Sequence, residues 1–277
     1  MTEAVFELHL EVDTASKVLE LLSSHSSISK QGLKQAMNKG CVWVTRGKHT
    51  RRLRRADKTL QSGDQLHVYY DQSILAVVPD SPVLVVDEKD YSIWVKPRGV
   101  FSQGSRWGDH CTINRWVETN SSPQRPCFIV HRLDRAATGL MLLAHTKSSA
   151  AKLSGLFAQR ELDKHYRVIV EGEYVAQQTG VIESALDGKD AKTVVNPLEY
   201  CVASNQTLLD VKIATGRKHQ IRRHLSEAGY PVVGDSLYGN SVSAVNLQLA
   251  AYSLQFNCPL SGEDKHYQLP QRYCPKL

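Results

Sequence analysis

The sequence lacks the features of a membrane protein, of a secreted protein and of a zinc-binding protein. No apolar run among its 277 residues approaches the roughly 18 residues that a membrane helix needs. The N-terminus, MTEAVFELHLEVD, is acidic and alternating, which is not the pattern of a signal peptide. The six cysteines form no C-x-x-C pair, which argues against a zinc ribbon and a dense disulfide scaffold. We therefore expect reduced thiols in a cytoplasmic protein with no membrane partner.

The signatures of common cofactors are missing as well. The chain has no P-loop, no Rossmann fingerprint and no metal-ligand spacing. His219 and His224 are the nearest approach to a metal pair, but their i, i+5 spacing puts them on different faces of a helix. The sequence therefore gives no indication of a nucleotide-binding or metal-binding site.

Positive charge is concentrated in one segment of the chain. The formal net charge is +6, but residues 1–29 carry −4 and residues 30–58 carry +9. Such a run is either a solvated face or a phosphate-binding surface. A solvated face is the more common case, but the density of this run makes a phosphate-binding surface a serious competitor, for which the candidate side chains are Lys48, Arg51, Arg52, Arg54 and Arg55.

Hydrophobic periodicity predicts a small folded unit over residues 5–71. The segments FELHLEV and CVWVT alternate as strands, and the apolar spacing after Ala15 predicts a helix. Ser29 is expected to cap a second helix, which ends at Gly40.

Pro79 and Pro82 mark a linker after this unit. We therefore expect a small basic module over residues 1–78 and a larger domain over residues 79–277. The larger domain has many segments of period two and few helices, one of them predicted to follow a Ser148 cap. Because strands and helices do not alternate regularly, this pattern indicates an α+β domain on a largely antiparallel sheet.

A polar loop with one carboxylate separates two apolar strands. It reads HRLDRAATGL over residues 131–140. Asp134 is its only carboxylate, and Arg132, Arg135 and His131 flank it. A carboxylate among cations stays ionised, and it suits nucleophilic or electrostatic catalysis better than acid catalysis. Taken alone, the loop is better explained as a structural loop held by a salt bridge.

Two further stretches combine charge with aromatic or helical patterning. Residues 164–172, KHYRVIVEG, place Lys164 and Tyr166 on one face of a strand. Tyr166 can stack on a base or transfer a proton, although buried tyrosines are common in strands. Residues 215–239 read TGRKHQIRRHLSEAGYPVVGDSLYG. A helix is predicted to follow Gly216, and its polar side chains either face solvent or donate hydrogen bonds to an anion.

Together these stretches resemble the motifs of the RluA-type family of RNA pseudouridine synthases. The family's H-R-L-D-x-x-T-S-G-L is similar to HRLDRAATGL, and its K-x-Y-x-A-x-V-x-G is similar to KHYRVIVEG. Its G-R-x-H-Q-I-R-x-H-L and G-x-P-I-x-G-D-x-x-Y-G are similar to the third stretch, and its N-K-P-x-G to VKPRG at residues 95–99. The motifs keep the family's order over residues 83–257. Ala137 and Thr138 replace the usual Thr-Ser, and Ile169 replaces a small residue; no catalytic group is lost.

The N-terminal unit resembles a second known module. Two helices, a glycine, a V-x-V strand, a basic stretch and L-x-x-G-D-x-L-x-V follow one another as in the α-L RNA-binding module of ribosomal proteins. The two resemblances imply an α+β pseudouridine synthase fold, with helices flanking a largely antiparallel mixed sheet, beside a small α/β RNA-binding domain. They imply a monomeric isomerase that acts on ribosomal or transfer RNA without cofactor or metal, and favour ribosomal RNA.

The resemblance also implies roles for individual residues. Asp134 would assist cleavage of the N-glycosidic bond, either by attacking the sugar or by removing the 2′ proton on a glycal route, and the sequence leaves both open. Arg217 would pair with Asp134, while Tyr166 would stack on the flipped uracil and assist deprotonation at C5. The residues expected to bind substrate are His131, Arg132, Lys164, His219, Gln220 and Arg222.

Two other functional classes compete with this interpretation. A catalytically silent RNA-binding protein would share the basic module, but it could lose Asp134, which this chain retains. A hydrolase using Asp134 and His131 would need a second acid or base at fixed geometry. Mapping new pseudouridines after incubation with total RNA from a deletion strain tests the isomerase activity against both alternatives and identifies the target.

Overall fold

The computed structural model describes residues 4–175, 180–239 and 245–277. The chain divides into two compact units, Met1–Pro79 with Gln103–Trp116, and Asp80–Ser102 with Val117–Leu277. The first division falls at Pro79, where the sequence predicts a linker. Residues 103–116 pack with the first unit, whereas the sequence analysis assigned them to the second domain.

The first unit is built from short strands and three helices. Its elements are β1 (Val5–Glu11), β2 (Ser16–Lys17), α1 (Val18–Ser24), α2 (Lys30–Lys39), β3 (Val42–Arg46), β4 (His49–Arg52), β5 (Thr59–Leu60), β6 (Gln65–Asp71) and α3 (Gln72–Ala76). An antiparallel sheet has the order β1-β6-β3-β4. The apolar faces of this sheet and of α1 and α2 form one core.

The ends of α2 follow from local chemistry. The Ser29 side chain accepts a hydrogen bond from Gly32 N at 3.1 Å, as expected of an N-cap. Gly40 has a φ of 88°, a left-handed conformation that glycine adopts without the strain a side chain would cause. Both predicted boundaries are therefore confirmed.

The second unit is a large mixed sheet with helices packed on it. Its elements are β7 (Val83–Asp87), β8 (Tyr91–Lys96), β9 (Phe128–Ile129), β10 (Thr138–Ala144), α5 (Lys147–Gln159), β11 (Asp163–Glu171), β12 (Val181–Glu183), β13 (Lys192–Cys201), β14 (Gln206–Ile213), α6 (Gln220–Glu227), β15 (Leu249–Asn257), β16 (Asp264–Gln268) and a 3-10 turn (Gln271–Tyr273). Helix α4 (Ile113–Asn120) begins in the first unit and ends in the second. Helix α5 is capped by Thr146, whose side chain accepts from Ser149 N, so the predicted Ser148 cap is wrong by two residues.

The sheet of the second unit has the order β12-β13-β14-β11-β15-β10-β8-β7, with β9 and β16 paired at its side. Of these pairs only β10 with β15 is parallel, so the expected α+β architecture on a largely antiparallel sheet is confirmed. Adjacent residues on β15 contribute to different cores, Leu249 and Ala251 to one and Ala250 to the other. The sheet is therefore buried on both faces along its middle.

Gly139 permits the parallel pairing at the centre of this sheet. It has a φ of 121°, and a Cβ there would lie 2.4 Å from the backbone N and O of Ala251. Only glycine allows β10 to approach β15 so closely just after the polar loop. This approach fixes the C-terminal end of the loop that carries Asp134.

All six cysteines are free thiols. Among the described residues, no helix combines the length and apolar character needed to span a bilayer.

Candidate active site

A cavity of about 90 Å³ in the second unit brings the three polar motifs together. The loop before β10, the start of β11 and the segment leading into α6 meet around it. The predicted site residues that line it are Arg132, Asp134, Lys164, Tyr166, Arg217, His219, Gln220 and Arg222. Among the described lining residues Asp134 is the only carboxylate.

Arg222 is the arginine that contacts Asp134. Its Nη1 lies 3.4 Å from Asp134 Oδ2, and the Arg222 side chain is only 4% exposed. The prediction that Arg217 pairs with Asp134 is therefore wrong in this structure. Arg217 lines the cavity, but its Nε donates to Asp190 O at 3.1 Å. Arg222 faces Asp134 because it lies one helical turn beyond His219, on the same side of α6.

A second, fully buried carboxylate holds Arg222 in place. Asp235 accepts two parallel hydrogen bonds from Arg222, from Nε at 2.7 Å and from Nη2 at 2.6 Å. Asp235 Oδ1 also accepts from the backbone N–H groups of Leu237 and Tyr238. Burial would raise the pKa of Asp235, but these hydrogen bonds hold it below its ordinary value. The bidentate pair leaves Nη1 of Arg222 directed at Asp134.

His219 lies on the other side of the Asp134 carboxylate. Its Nε2 is 3.9 Å from Asp134 Oδ1, and its Nδ1 is 3.0 Å from the Tyr238 hydroxyl. Burial lowers the pKa of His219, against the opposing effect of Asp134. A neutral imidazole at this distance orients the site more than it neutralises the carboxylate.

Gln220 lines the cavity, but all of its side-chain contacts are internal. Its Oε1 accepts from Thr215 Oγ1 at 2.6 Å and from Arg217 N at 3.1 Å. Its Nε2 donates to Lys192 O and to Thr193 Oγ1, both at 3.0 Å. These bonds fix the turn into α6, so Gln220 supports the site from behind.

Tyr166 and Lys164 reach the cavity from the same strand, as the alternation predicts. Tyr166 is 8% exposed, and burial and then the charge of Asp134 raise its pKa well above the ordinary value. The hydroxyl is therefore protonated at neutral pH. Burial lowers the pKa of Lys164, whose ammonium lies 5.4 Å from the ring centroid of Phe157.

His131 occupies a structural position beside the loop. Its ring stacks on Phe157 with centroids 4.6 Å apart, and its Nε2 accepts from Leu142 N at 2.9 Å. Burial lowers the pKa of His131 to about 3, so the ring is neutral. Although His131 was predicted to bind substrate, it does not line the cavity among the described residues. His131 anchors the start of the loop. A hydrolase that used His131 together with Asp134 would therefore lack its second catalytic group.

Lys96, from the motif VKPRG, supports the same loop from inside the protein. Its side chain is fully buried, and Nζ donates to the carbonyls of Pro97, Val100 and Ala137 at 2.8–2.9 Å. Burial lowers the pKa of Lys96 to about 7, against the opposing effect of Asp134. Three close carbonyl acceptors match the three donors of an ammonium group. Lys96 thus ties the VKPRG turn to the end of the Asp134 loop.

The predicted basic patch of the first unit is divided by its contacts. Arg52 donates to the carbonyls of Gly40 and Ser105 and pairs with Asp109, and Arg54 Nη2 lies 2.5 Å from the same carboxylate. These two arginines therefore hold residues 103–116 within the unit. The other three members of the patch, Lys48, Arg51 and Arg55, are exposed.

Proteins of similar sequence and fold are RNA pseudouridine synthases. Residues 90–227 match the family described as RNA pseudouridylate synthase. The dual-specificity RNA pseudouridine synthase RluA of Salmonella typhi is 31% identical over 212 residues, 69% of this chain and 95% of that protein. The ribosomal large subunit pseudouridine synthase D of Nitrosomonas europaea is 30% identical over 218 residues, 68% of this chain and 62% of that protein. Human RNA pseudouridylate synthase domain containing 1 has the same fold, with a TM-score of 0.60 at 22% identity over 72% of this chain and 88% of that one.

The described lining of the cavity presents one carboxylate among arginines, and the similar proteins are RNA pseudouridine synthases. The protein is therefore an isomerase that acts on RNA. The chain belongs to the RluA-type family of RNA pseudouridine synthases.

Two residues that position the site had no role in the sequence analysis. Lys96 and Asp235 both stand in recognised motifs, VKPRG and the G-D-x-x-Y-G segment, which was the available signal. Their roles became visible only with the structure, because Lys96 acts through carbonyls and Asp235 through Arg222.

Proposed function

We propose that Asp134 is the nucleophile that attacks the ribose of a uridine flipped out of its RNA. The observation that carries this proposal is that Asp134 is the only carboxylate among the described residues lining the cavity. Its side chain is 25% exposed, so a substrate can reach it. Enzymes that hydrolyse glycosides with two carboxylates need a second acidic group, and the described lining offers none.

The isomerisation conserves every atom of the substrate. The bond between the ribose C1′ and the uracil N1 breaks, the uracil turns, and C5 bonds to C1′ while the C5 proton moves to N1. In the proposed route an Asp134 oxygen bonds to C1′ and is displaced by C5. In the alternative glycal route the same carboxylate removes the 2′ proton. Arg222, at 3.4 Å, stabilises the charged form that both routes require.

Tyr166 would hold the uracil during its rotation. Its ring lies in the cavity near Asp134, and its raised pKa keeps the hydroxyl available as a hydrogen-bond donor. When the C5 proton leaves, the phenol oxygen can accept it only if its own proton is passed on. We therefore assign to Tyr166 both stacking on the base and relay of a proton at C5.

Two arginines at the cavity would contact the RNA backbone. Arg132 is exposed beside Asp134, and Arg217 is half-buried at the entrance to α6. Neither has a carboxylate partner that would neutralise it among the described residues. Their charges suit the phosphates that flank the flipped nucleotide.

Ribosomal RNA is the target that we favour, with transfer RNA as the alternative. The exposed cations Lys48, Arg51 and Arg55 support contact with a large structured RNA. The similarity to a ribosomal large subunit pseudouridine synthase supports the same choice.

The test is to treat RNA from a strain lacking the gene with the purified protein and to map new pseudouridines. The matched control is Asp134→Asn, which keeps the shape of the side chain and removes its charge. We expect one or a few new sites in ribosomal RNA with the wild-type protein and none with the variant. New sites with the variant at even a tenth of the wild-type single-turnover rate would refute the role of Asp134, whereas sites confined to transfer RNA would refute the favoured target.

A further inference from the structure

The second unit contains another cavity, of about 490 Å³. It is lined by cations, and none of its described lining residues has a carboxylate side chain. Arg98, Arg272 and Lys276 supply the charge. Gln248 adds a side-chain amide that donates to Asn246 O at 2.7 Å and keeps a second N–H that can donate to a ligand. We refer to it as the basic cavity.

The basic cavity lies back to back with the active site. Ala137 and Leu249 line the active-site cavity, whereas their neighbours Thr138 and Gln248 line the basic cavity. Adjacent residues entering β10 and β15 point to opposite faces of the sheet. The two cavities are therefore separate and share only the backbone between them.

Arg98 is a half-buried cation without a neutralising partner among the described residues. Its Nε donates to Leu247 O at 3.1 Å, and burial lowers its pKa with no carboxylate to offset that effect. A guanidinium nevertheless stays charged at neutral pH. A partly desolvated charge of this kind is stabilised when an anion binds to it.

The other two cations complete a site with one sign of charge. The guanidinium of Arg272 lies 4.9 Å from the ring centroid of Tyr273, which restricts its position at the rim. Lys276 is exposed beside it. Arginines bind phosphate through planar, paired donors, and a lysine adds a mobile charge.

We propose that the basic cavity binds a phosphate group. The two sources of that chemistry are the backbone of the RNA substrate and a small phosphate-bearing molecule. The site touches the turn that positions the catalytic loop, since Gly99, next to Arg98, donates its N–H to Arg135 O at 2.8 Å. A phosphate bound there would hold that turn from the face opposite to Asp134.

The experiment compares two double variants with the same change in charge. Arg272→Gln with Lys276→Gln removes the exposed cations of the basic cavity. Lys147→Gln with Lys152→Gln removes two exposed cations of α5, which do not line it. All four side chains are exposed, so both proteins are expected to fold.

The first measurement is the salt dependence of affinity for a transcript that the wild-type protein modifies. If the cavity holds one backbone phosphate, the slope of log affinity against log salt should fall by about 0.7–0.9 in the cavity variant and stay unchanged in the α5 variant. The second measurement is the thermal midpoint in inorganic phosphate against chloride at equal ionic strength. Wild type and the α5 variant should gain the same increase, and the cavity variant should gain a smaller one.

The two arms identify the source. A lower slope in the cavity variant alone assigns the site to RNA, and a smaller phosphate effect without a change in slope assigns it to a small molecule. Equal behaviour of the two variants in both measurements would overturn the proposal. Only the measurement with RNA rests on the proposed function. If the protein proves not to modify RNA, the thermal midpoint in inorganic phosphate still tests whether the basic cavity binds phosphate.

Discussion

Replacing Arg222 should affect both stability and the chemical step, whereas replacing Arg217 should affect mainly RNA affinity. The Arg222 and Asp235 side chains are 4% and 0% exposed and share two parallel hydrogen bonds. Arg222→Lys keeps the charge, but an ammonium cannot make both bonds. Loss of one charge-assisted bond costs about 1.5–3 kcal/mol of unfolding free energy.

The same substitution moves a positive charge away from Asp134. Two unit charges about 4 Å apart attract by roughly 4 kcal/mol at an effective dielectric constant of about 20. If displacement of the charge removes half of that from the transition state in which the Asp134 carboxylate leaves C1′, about 2 kcal/mol is lost there, equivalent to a rate loss of roughly 30-fold. Arg217→Gln removes a half-buried side chain that donates to a carbonyl, so its stability should change by about 0.5 kcal/mol or less.

The assays are urea unfolding for stability and single-turnover conversion at saturating RNA for the chemical step. Arg222→Lys should be destabilised and slow at saturation, and Arg217→Gln should need more RNA to reach a nearly normal rate. The opposite result, in which Arg217→Gln slows the saturating rate about 30-fold while Arg222→Lys keeps it within threefold, would make Arg217 the partner of Asp134. That outcome would refute the use of the 3.4 Å contact as the functional one.

Three further predictions concern other parts of the molecule. Tyr166→Phe keeps the stacking face and removes the hydroxyl, so binding should change by only a few fold while the single-turnover rate falls at least ~10²-fold; a normal rate would show that Tyr166 only packs. Lys48→Gln with Arg51→Gln and Arg55→Gln should lower the salt slope of RNA binding by roughly 2 units without changing stability, whereas an unchanged slope would make these cations a solvated face. Activity on a pre-folded RNA should survive EDTA, and recovery of lost activity by one divalent ion would contradict this.

The sequence predicts the fold well where local signals and burial agree. Strands β1 and β3 lie where alternation predicts them, and β10 is the apolar strand expected after the polar loop, because each also faces a core. Strand β13 was not predicted. Its sequence KTVVNPLEYC contains a proline and a run of exposed residues, and its pairing depends on β14, which no local pattern reveals.

The division of the chain shows a similar limit. Composition locates the boundary at Pro79, but residues 103–116 join the first unit through Arg52 and Arg54, which bind Asp109. These contacts join residues that are more than fifty positions apart in the sequence. A count of charges along the chain gives no sign of them and treats the same arginines as exposed side chains. Density of charge therefore identifies a basic segment without separating its exposed side chains from those that hold the protein together.

The partner of Asp134 is a case where motif and geometry diverge. The motif contains Arg217, Arg222 and Arg223 within one short stretch, and the resemblance alone assigned the pairing to the first. In the structure α6 begins at Gln220, so Arg217 lies before the helix, while Arg223, one residue beyond Arg222, pairs with Asp187 at 3.1 Å. Only Arg222 points inward, and an inward arginine needs a buried counter-charge, which Asp235 provides. The G-D-x-x-Y-G segment thus supplies Asp235, which neutralises the buried Arg222. Arg222 in turn contacts Asp134 in the cavity.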